Sequence, residues 1–365
     1  MHVISTQKSC QLAAKESDRA TFIDTGIRTS SIGNGFIGKL LGNFILSIRL
    51  SVVTMKSVKR NDIVFSGTNP SLLVVMLALI KPISKFRWIL LVYDVFPENL
   101  VPAKLVSQNS YMYKITRWIF DILYKRADKI IVIGRDMQEV VCKKTSGMVP
   151  IKYIPNWIDP LDIHSLERDN LALNYDKDSE EKVVFQFFGN MGIVQGLDIL
   201  LEAISKTKCL NAKFKFIGGG SGFPLVEEYI MNNPQLDVEL IPPISFNENM
   251  TALKECDVAL VTLAPGMKGL AVPSKAFFSL TAEKPILVVG EQNAELDLLI
   301  KEYPKIGWFC DVSDSSLIAK KIDEIANLDF SNLKGFSWNV IKSHCSYKIA
   351  SARYVSLIKD MLDED

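Results

Sequence analysis

The run Val183–Ala203, VVFQFFGNMGIVQGLDILLEA, decides the fold. It opens on a continuous apolar stretch, Val183–Phe188, the pattern of a strand covered on both faces. The chain then turns through Phe188-Gly189-Asn190-Met191-Gly192, and a helix starts at Gln195-Gly196-Leu197. Glycines at a strand-to-helix turn let backbone N–H groups approach a phosphate, and the helix N-terminus favours its negative charge. Taken alone, these residues fit a tight turn without a ligand equally well. Gly218-Gly219-Gly220-Ser221-Gly222 repeats the feature after the next strand, Phe214–Gly218. Two such turns on neighbouring parallel strands share one carboxyl edge, which is where ligands bind in open α/β sheets.

Outward from this run the same alternation continues. Further strands are predicted at Val238–Ile241, Val258–Leu263, Ile286–Gly290 and Ile306–Cys310. Helices are predicted at Leu197–Lys206, Pro224–Asn232, Asn247–Cys256, Ser274–Glu283, Ala294–Glu302 and Ser316–Leu328, with a last helical segment over Asn339–Leu362. Upstream, strands are predicted at Asp62–Gly67, Arg87–Asp94, Lys129–Gly134 and Lys152–Asn156. The helices between them fall at Asn69–Ile83, Ser110–Ala127 and Arg135–Ser146. In Ser110–Ala127, Tyr113, Ile115, Trp118, Ile119, Ile122 and Leu123 recur three and four apart. Continuous apolar strands alternating with helices predict parallel sheets covered on both faces. The polar stretch Asp159–Lys182, with Pro160 and DKDSEE, separates the two series. The expected division is therefore residues 1–160, a linker at 161–182, a second domain at 183–338 and a helical segment at 339–365.

The 365 residues suffice for two domains, and 48% hydrophobic with 23% charged is ordinary globular composition. The net charge of +1 hides a split. Residues 1–180 hold 24 Lys+Arg against 17 Asp+Glu, and the remainder holds 18 against 24. A basic N-terminal half suits a membrane surface or a lipid phosphate; solvated surface charge is the alternative. Nothing in the pattern calls for a nucleic acid. The six cysteines are widely spaced without a CxxC, which fits reduced thiols in a cytoplasmic protein. With His2, His164 and His344 alone, a histidine triad or metal cluster is hard to build. The longest uncharged apolar run, Ser71–Ile80, is about half of a membrane span.

Candidate chemistry concentrates on Gly269-Leu270-Ala271-Val272-Pro273-Ser274-Lys275, which leads into a helix. Ser274 is expected as its N-cap. Lys275 then sits in the first turn, where the helix dipole disfavours a cation by roughly 0.3–1 kcal/mol. A lysine so placed suits an external anion, with Lys268 a second candidate. Asp94 and Glu98 follow the VYD strand end, where they could orient a substrate hydroxyl or serve as turn and cap residues. Asn156 and Trp157 lie near the linker, as cleft or packing residues.

GNMGIVQGLDILLEA, FIGGGSG and DVALVTLAPGMKGLAVPSKAFFSLTAEKPIL (Asp257–Leu287) together resemble the donor domain of family 4 glycosyltransferases with the GT-B fold, nearest to the capsule, O-antigen and colanic-acid type. TNPSLL (Thr68–Leu73), VYDVFPE (Val92–Glu98), YKRADKIIVIG (Tyr124–Gly134) and IPNWID (Ile154–Asp159) resemble the same group in the same order. The resemblance implies an α/β protein of two Rossmann-like domains whose parallel sheets face a central cleft. It implies a retaining, metal-independent hexosyl or N-acetylhexosaminyl transfer in lipopolysaccharide or capsule synthesis, with no cofactor. The partners implied are a nucleotide-diphospho-sugar donor on the C-terminal domain and a lipid-linked saccharide acceptor on the N-terminal one. Gly189, Asn190, Gly192, Gln195, Gly218, Gly219, Lys268 and Ser274 would bind the donor. Asp94, Glu98 and Lys275 would act in catalysis, and Asn156 and Trp157 would line the cleft. Stabilising the departing diphosphate matters more than a strong base.

The chain departs from the family at three places. The paired glutamates near the Pro-Ser-Lys stretch are matched by Leu270 and Phe278, and the basic pair after the first glycine turn by Asn190 and Gln195. His2–Thr6 resembles the family's second strand, so the N-terminal domain is expected to lack its first strand; either the start lies further upstream or the protein is shortened and impaired. These departures set a catalytically impaired GT-B subunit that binds a partner beside the active enzyme as the alternative. An epimerase on the same fold would want cleft histidines and carboxylates that the sequence lacks. Gly38–Lys59, finally, mixes Leu40, Phe44, Ile48 and Val53 with Lys39, Arg49 and Lys56. It reads either as an amphipathic helix on the inner face of an anionic cytoplasmic membrane or as a core-facing helix with a basic outer side.

Overall fold

The computed structural model describes residues 2–5, 21–24, 36–158, 182–244, 252–253, 255–333 and 335–363. Residues 159–181, nearly all of the expected linker, and most of the helix expected over Asn247–Cys256 lie outside the described residues. The chain forms two compact units. Unit 1 is Met1–Pro97, Asn109–Val132 and Val140–Lys152; unit 2 is Glu98–Gln108, Ile133–Glu139 and Tyr153–Asp365.

In unit 1, β1 (His2–Ser5) and β2 (Thr21–Asp24) pair in parallel. A separate four-stranded sheet has the order β3 (Ile63–Gly67), β4 (Arg87–Val92), β5 (Lys129–Val132), β6 (Ile151–Tyr153). Its first two pairings are parallel, and every residue of β4 after Arg87 is buried, as a continuous apolar run requires. Helices α1 (Phe36–Ser57), α2 (Ser71–Ser84) and α3 (Tyr111–Tyr124) pack in a row, α1 on α2 and α2 on α3. The Ser110 hydroxyl caps α3 by accepting from the Tyr113 N–H at 3.2 Å.

Two helices bury a different face from the one their apolar spacing advertises. In α3 the inward residues are Tyr113, Phe120, Leu123 and Tyr124; Ile115, Trp118, Ile119 and Ile122 stand outward. In α1 the buried residues are Ser47, Ser51 and Thr54, four and three apart. Their hydroxyls donate to the carbonyls of Asn43, Ser47 and Leu50 at 2.7–2.8 Å, which satisfies them inside the helix.

Unit 2 holds a six-stranded sheet in the order β12-β11-β10-β7-β8-β9, every pairing parallel. The strands are β7 (Val183–Phe188), β8 (Ala212–Ile217), β9 (Val238–Ile241), β10 (Val258–Thr262), β11 (Ile286–Gly290) and β12 (Gly307–Asp311). The strand order reverses between β7 and β10, the switch point at which such sheets bind ligands. Helix α4 (Arg135–Thr145) follows β5, its residues to Glu139 in unit 2 and the rest in unit 1; between the strands of unit 2 run α5 (Leu197–Lys206), α6 (Phe223–Asn232), α7 (Ser274–Thr281), α8 (Glu295–Glu302) and α9 (Ser315–Ile325). Phe185 stacks on Phe214 and Phe187 on Phe216 across β7 and β8, at 5.5 and 6.0 Å. Leu200 and Ile204 of α5 join Ile318 and Ile322 of α9 in the same core.

The helical segment expected as one run over Asn339–Leu362 is two helices, α10 (Phe336–His344) and α11 (Tyr347–Asp363). The chain leaves the helix at Cys345–Ser346 because Ser346 forms a parallel bridge with Ile158. The Glu283 carboxylate accepts from the N–H groups of Gly335 and Trp338 at 2.7 and 3.0 Å, fixing the start of α10. Among the described residues, no helix is long and apolar enough to cross a membrane.

Candidate active site

The glycine turns after β7 and β8 are built into one another. Gly189 and Gly218 hold φ of 112° and 142°, values that side chains rarely allow. A Cβ on Gly218 would stand 1.9 Å from the Gly189 carbonyl oxygen. The Met191 N–H donates to the Gly219 carbonyl at 2.8 Å, and the Gly222 N–H to the Met191 carbonyl at 2.6 Å. The Gly189 N–H donates to Ile217 at 2.8 Å. Two of the turn's N–H groups are therefore engaged, leaving those of Asn190 and Gly192 as its candidate anion donors. Asn190 itself is exposed.

Gln195 closes a short turn ahead of α5, and Gly196 follows at φ 62°. A Cβ on Gly196 would meet the Ala264 backbone at 3.0 Å, so only glycine lets this turn lie against the end of β10. That contact draws the loop after β10, and with it Lys275, to the glycine turns. The Lys275 ammonium donates to Gln195 Oε1 at 2.6 Å and lies 3.7 Å from the centroid of the Phe187 ring. Burial pulls its pKa down to about 7, and no carboxylate among the described residues offsets that pull. The ring face favours the charged form and works against the burial.

The structure corrects the expectation for Ser274. Pro273 occupies the N-cap in an extended conformation (φ −66°, ψ 112°), and no side chain caps the helix. Ser274 is the first helical residue and is exposed. Lys275 still falls in the first turn. Lys268 is exposed, and its N–H donates to Glu291 Oε2 at 2.9 Å. Leu270 is buried, and Phe278 stacks on Phe188 at 6.3 Å. The two positions that match the family's glutamates thus carry packing.

Asp94 lies in unit 1, just past β4. Its surface is exposed, while burial of its surroundings raises the carboxyl above the ordinary aspartate range. Glu98 opens a short turn, Glu98–Leu100, in unit 2. The Asn156 side chain accepts from the Trp157 N–H at 3.1 Å, and Trp157 packs edge-on against Tyr347 at 5.6 Å. The structure thus groups Gly189, Asn190, Gly192, Gln195, Gly218, Gly219 and Lys275, and places Asn156 and Trp157 beside α11.

With this geometry in place, the chain can be set beside known proteins. No family model matches it. A protein of Pseudomonas aeruginosa named "Probable glycosyltransferase WbjE" is 37% identical over 331 residues, which are 91% of this chain and 82% of that protein. The chain belongs to the GT-B-fold glycosyltransferases of polysaccharide biosynthesis. WcaI of Escherichia coli (strain K12), by name a colanic acid biosynthesis glycosyl transferase, is 25% identical over 181 residues, 49% of this chain and 44% of that protein. Among solved structures, Anabaena HepE in complex with UDP and glucose superposes with a TM-score of 0.65 at 14% identity, over 96% of this chain and 88% of that one. Trehalose-6-phosphate synthase, studied for glycosyl transfer with retention, gives 0.66 at 11% identity over 98% of each chain. These two likenesses speak for the fold.

Beside the candidate site of this glycosyltransferase stand structural contacts that sequence reasoning missed. The loop ahead of α7 is held by carboxylates: Glu291 Oε2 accepts from the N–H groups of Gly266 and Lys268, and Asp136 Oδ2 from that of Gly269 at 2.8 Å. Burial raises the Asp136 carboxyl, and the Gly269 N–H pulls it back. Beside it, Glu295 accepts from the Arg135 backbone at 2.6 Å, from its guanidinium at 3.1 Å and from the Tyr153 hydroxyl at 2.9 Å. Burial pushes the Glu295 carboxyl up, and these partners work the other way. In the sequence, Arg135 and Asp136 read only as the first turn of a helix.

Proposed function

We propose that the enzyme transfers a hexosyl or N-acetylhexosaminyl unit, with retention and without a metal or cofactor, from a nucleotide-diphospho-sugar to a hydroxyl of a lipid-linked saccharide. The donor sits on unit 2, its diphosphate against Lys275 and the Asn190 and Gly192 N–H groups. The observation that carries this reading is Lys275, a largely desolvated ammonium with no acidic partner among the described residues, held by Gln195 at the switch point of the sheet. UDP and glucose in the structural neighbour HepE support a donor of that class. The leaving diphosphate gains charge as its bond to the sugar breaks, and a cation aimed at that charge lowers the barrier. The acceptor oxygen bonds the same carbon, and its proton leaves with the diphosphate.

Asp94 and Glu98 orient the acceptor hydroxyl or the sugar. On unit 1, a groove of about 520 Å³ opens between α1 and the start of α2. Leu41, Phe44, Pro70 and Leu72 line it together with Asn43 and Asn69, a mixture that suits an amphipathic acceptor. Membrane work of this kind belongs on the inner face of the cytoplasmic membrane. The test is a turnover screen against UDP- and GDP-sugars, paired with calorimetry of the Lys275→Ala variant. Weakened donor binding with lost turnover is expected. Unchanged affinity would remove Lys275 from the donor site, and donor binding without turnover on any acceptor would refute the transfer.

A further inference from the structure

We propose that Lys275 is a modification site, its side-chain amine acylated by small acyl phosphates. The proposal rests on the donor reading above for the phosphate position alone. The setting of the amine itself is independent of that reading. Lys275 Nζ donates to the neutral amide oxygen of Gln195 at 2.6 Å and lies 3.7 Å from the centroid of the Phe187 ring. Other lysines of the chain face carboxylates. Lys144 meets Asp121 at 2.8 Å, Lys206 meets Glu202 at 2.7 Å, Lys215 meets Glu255 at 2.6 Å and Lys301 meets Asp297 at 2.7 Å. A neighbouring carboxylate favours the ammonium, which has no lone pair to attack with, whereas desolvation favours the free amine. Lys275 is only partly covered, so a small reagent reaches it.

Burial alone brings Lys275 to about 7. At about pH 7.5 roughly three in four Lys275 side chains are then free amines, against about one in a thousand for a lysine with the ordinary value of about 10.4. Lower basicity gives back part of this gain as weaker intrinsic nucleophilicity, leaving a preference of roughly tenfold or more. The class of reagent follows from what stands beside the amine. The Asn190 and Gly192 N–H groups, the candidate anion donors of the neighbouring turn, suit a reagent whose leaving group is phosphate. The Nζ lone pair bonds the acyl carbon, the bond from that carbon to the phosphate oxygen breaks, and phosphate departs with the electron pair and one proton from the nitrogen. The product is a neutral amide. Its remaining N–H can still donate to Gln195, but the cation proposed to meet the donor diphosphate is gone.

The experiment treats the full chain with acetyl phosphate and follows acetylation of each lysine by peptide mass spectrometry. Lys275 should react roughly tenfold or more faster than the exposed Lys268. Between about pH 6.5 and about pH 8.5 its rate should rise only about fourfold, where an ordinary lysine gains about a hundredfold. With p-nitrophenyl acetate, an uncharged acyl donor, the preference for Lys275 should fall roughly fivefold or more. Saturating UDP should slow acetylation by acetyl phosphate, and protein acetylated at Lys275 should bind UDP roughly tenfold less tightly in calorimetry. Labelling no faster than at Lys268, or an equal preference with both reagents, would overturn the proposal even in a protein that binds UDP normally. Phosphate-dependent labelling that neither slows with UDP nor weakens UDP binding would uphold the acylation and remove the donor diphosphate from Lys275, so the two readings fail separately.

Discussion

Replacing Lys275 by methionine should stabilise the protein most at and below neutral pH, and progressively less as the solution becomes alkaline. A lysine titrates near 10.5 in the unfolded chain, and burial brings Lys275 to about 7 in the native state. Between those values the unfolded chain holds a proton that the native state has shed, so wild-type stability rises with pH across that window. Below about pH 7 both states are protonated, and the full cost of the buried ammonium is present. The interval of about 3.5 pH units corresponds to about 5 kcal/mol at 1.36 kcal/mol per unit. The Phe187 ring face, 3.7 Å from the ammonium, returns about 1–2 kcal/mol, leaving roughly 3 kcal/mol. Methionine keeps much of the volume and packs on the same ring. Denaturant unfolding of both proteins at about pH 6.5 and about pH 9.5 measures the difference. The advantage of the variant should shrink by about 2 kcal/mol or more between the two. An equal advantage at both values would refute the reasoning, because a lysine that titrates normally contributes no such slope.

Three further outcomes follow from the packing of unit 2. Gln186 is buried on β7 with neither side-chain atom hydrogen-bonded, so Gln186→Leu should raise the unfolding midpoint by about 1–3 kcal/mol of stability; a loss of stability would mean the amide has a partner such as a bound water. Gly218→Ala should cost on the order of 3 kcal/mol or more and shift the Gly189 turn, since φ is 142° and the new methyl would meet the Gly189 carbonyl at 1.9 Å; a wild-type melting curve would contradict it. Glu295→Ala leaves the Arg135 guanidinium and the Tyr153 hydroxyl without that carboxylate and should cost about 3 kcal/mol, read by denaturant unfolding.

The central strands of unit 2, β7, β10 and β11, were legible because they are buried on both faces, and the half-buried edge strand β9 because its apolar run is short and bounded by polar residues and proline. Val183–Phe188, Val238–Ile241 and Ile286–Gly290 match the predicted limits, as does α5 at Leu197–Lys206. Continuous apolar runs bounded by glycine or polar residues leave little choice of phase. Helix faces were harder to read. The spacing of Ile115, Trp118, Ile119 and Ile122 is helical whichever side is buried, and periodicity alone cannot tell core from outer surface. In α1 the inward side is serine and threonine, so hydropathy pointed the wrong way. The Lys275–Gln195 contact spans 80 positions and depends on Gly196 lying against Ala264, which local spacing cannot encode. The carboxylates of Asp136, Glu291 and Glu295 are visible only once the loop they hold has a position.

The neutral residues around the donor turns have a common physical sense. By the sequence resemblance, Asn190 and Gln195 match a basic pair of the family, and Leu270 and Phe278 its paired glutamates. Phe278 stacks on Phe188 at the end of β7, so that position carries no carboxylate to repel the diphosphate proposed to bind here. With that charge gone, a permanent cation in the same place would stand uncompensated in a buried site while no donor is bound. An arginine could not escape this cost, since its guanidinium does not shed its proton. A lysine can. Desolvated, hydrogen-bonded to the Gln195 amide and set over Phe187, Lys275 avoids a buried charge only by shedding its proton, at the cost in stability worked out above, and on the proposed reading it takes the proton back when an anionic diphosphate binds. The loss of the flanking charges and the burial of Lys275 are then two halves of one electrostatic solution, and the pH dependence of its stability is the signature by which that solution can be read.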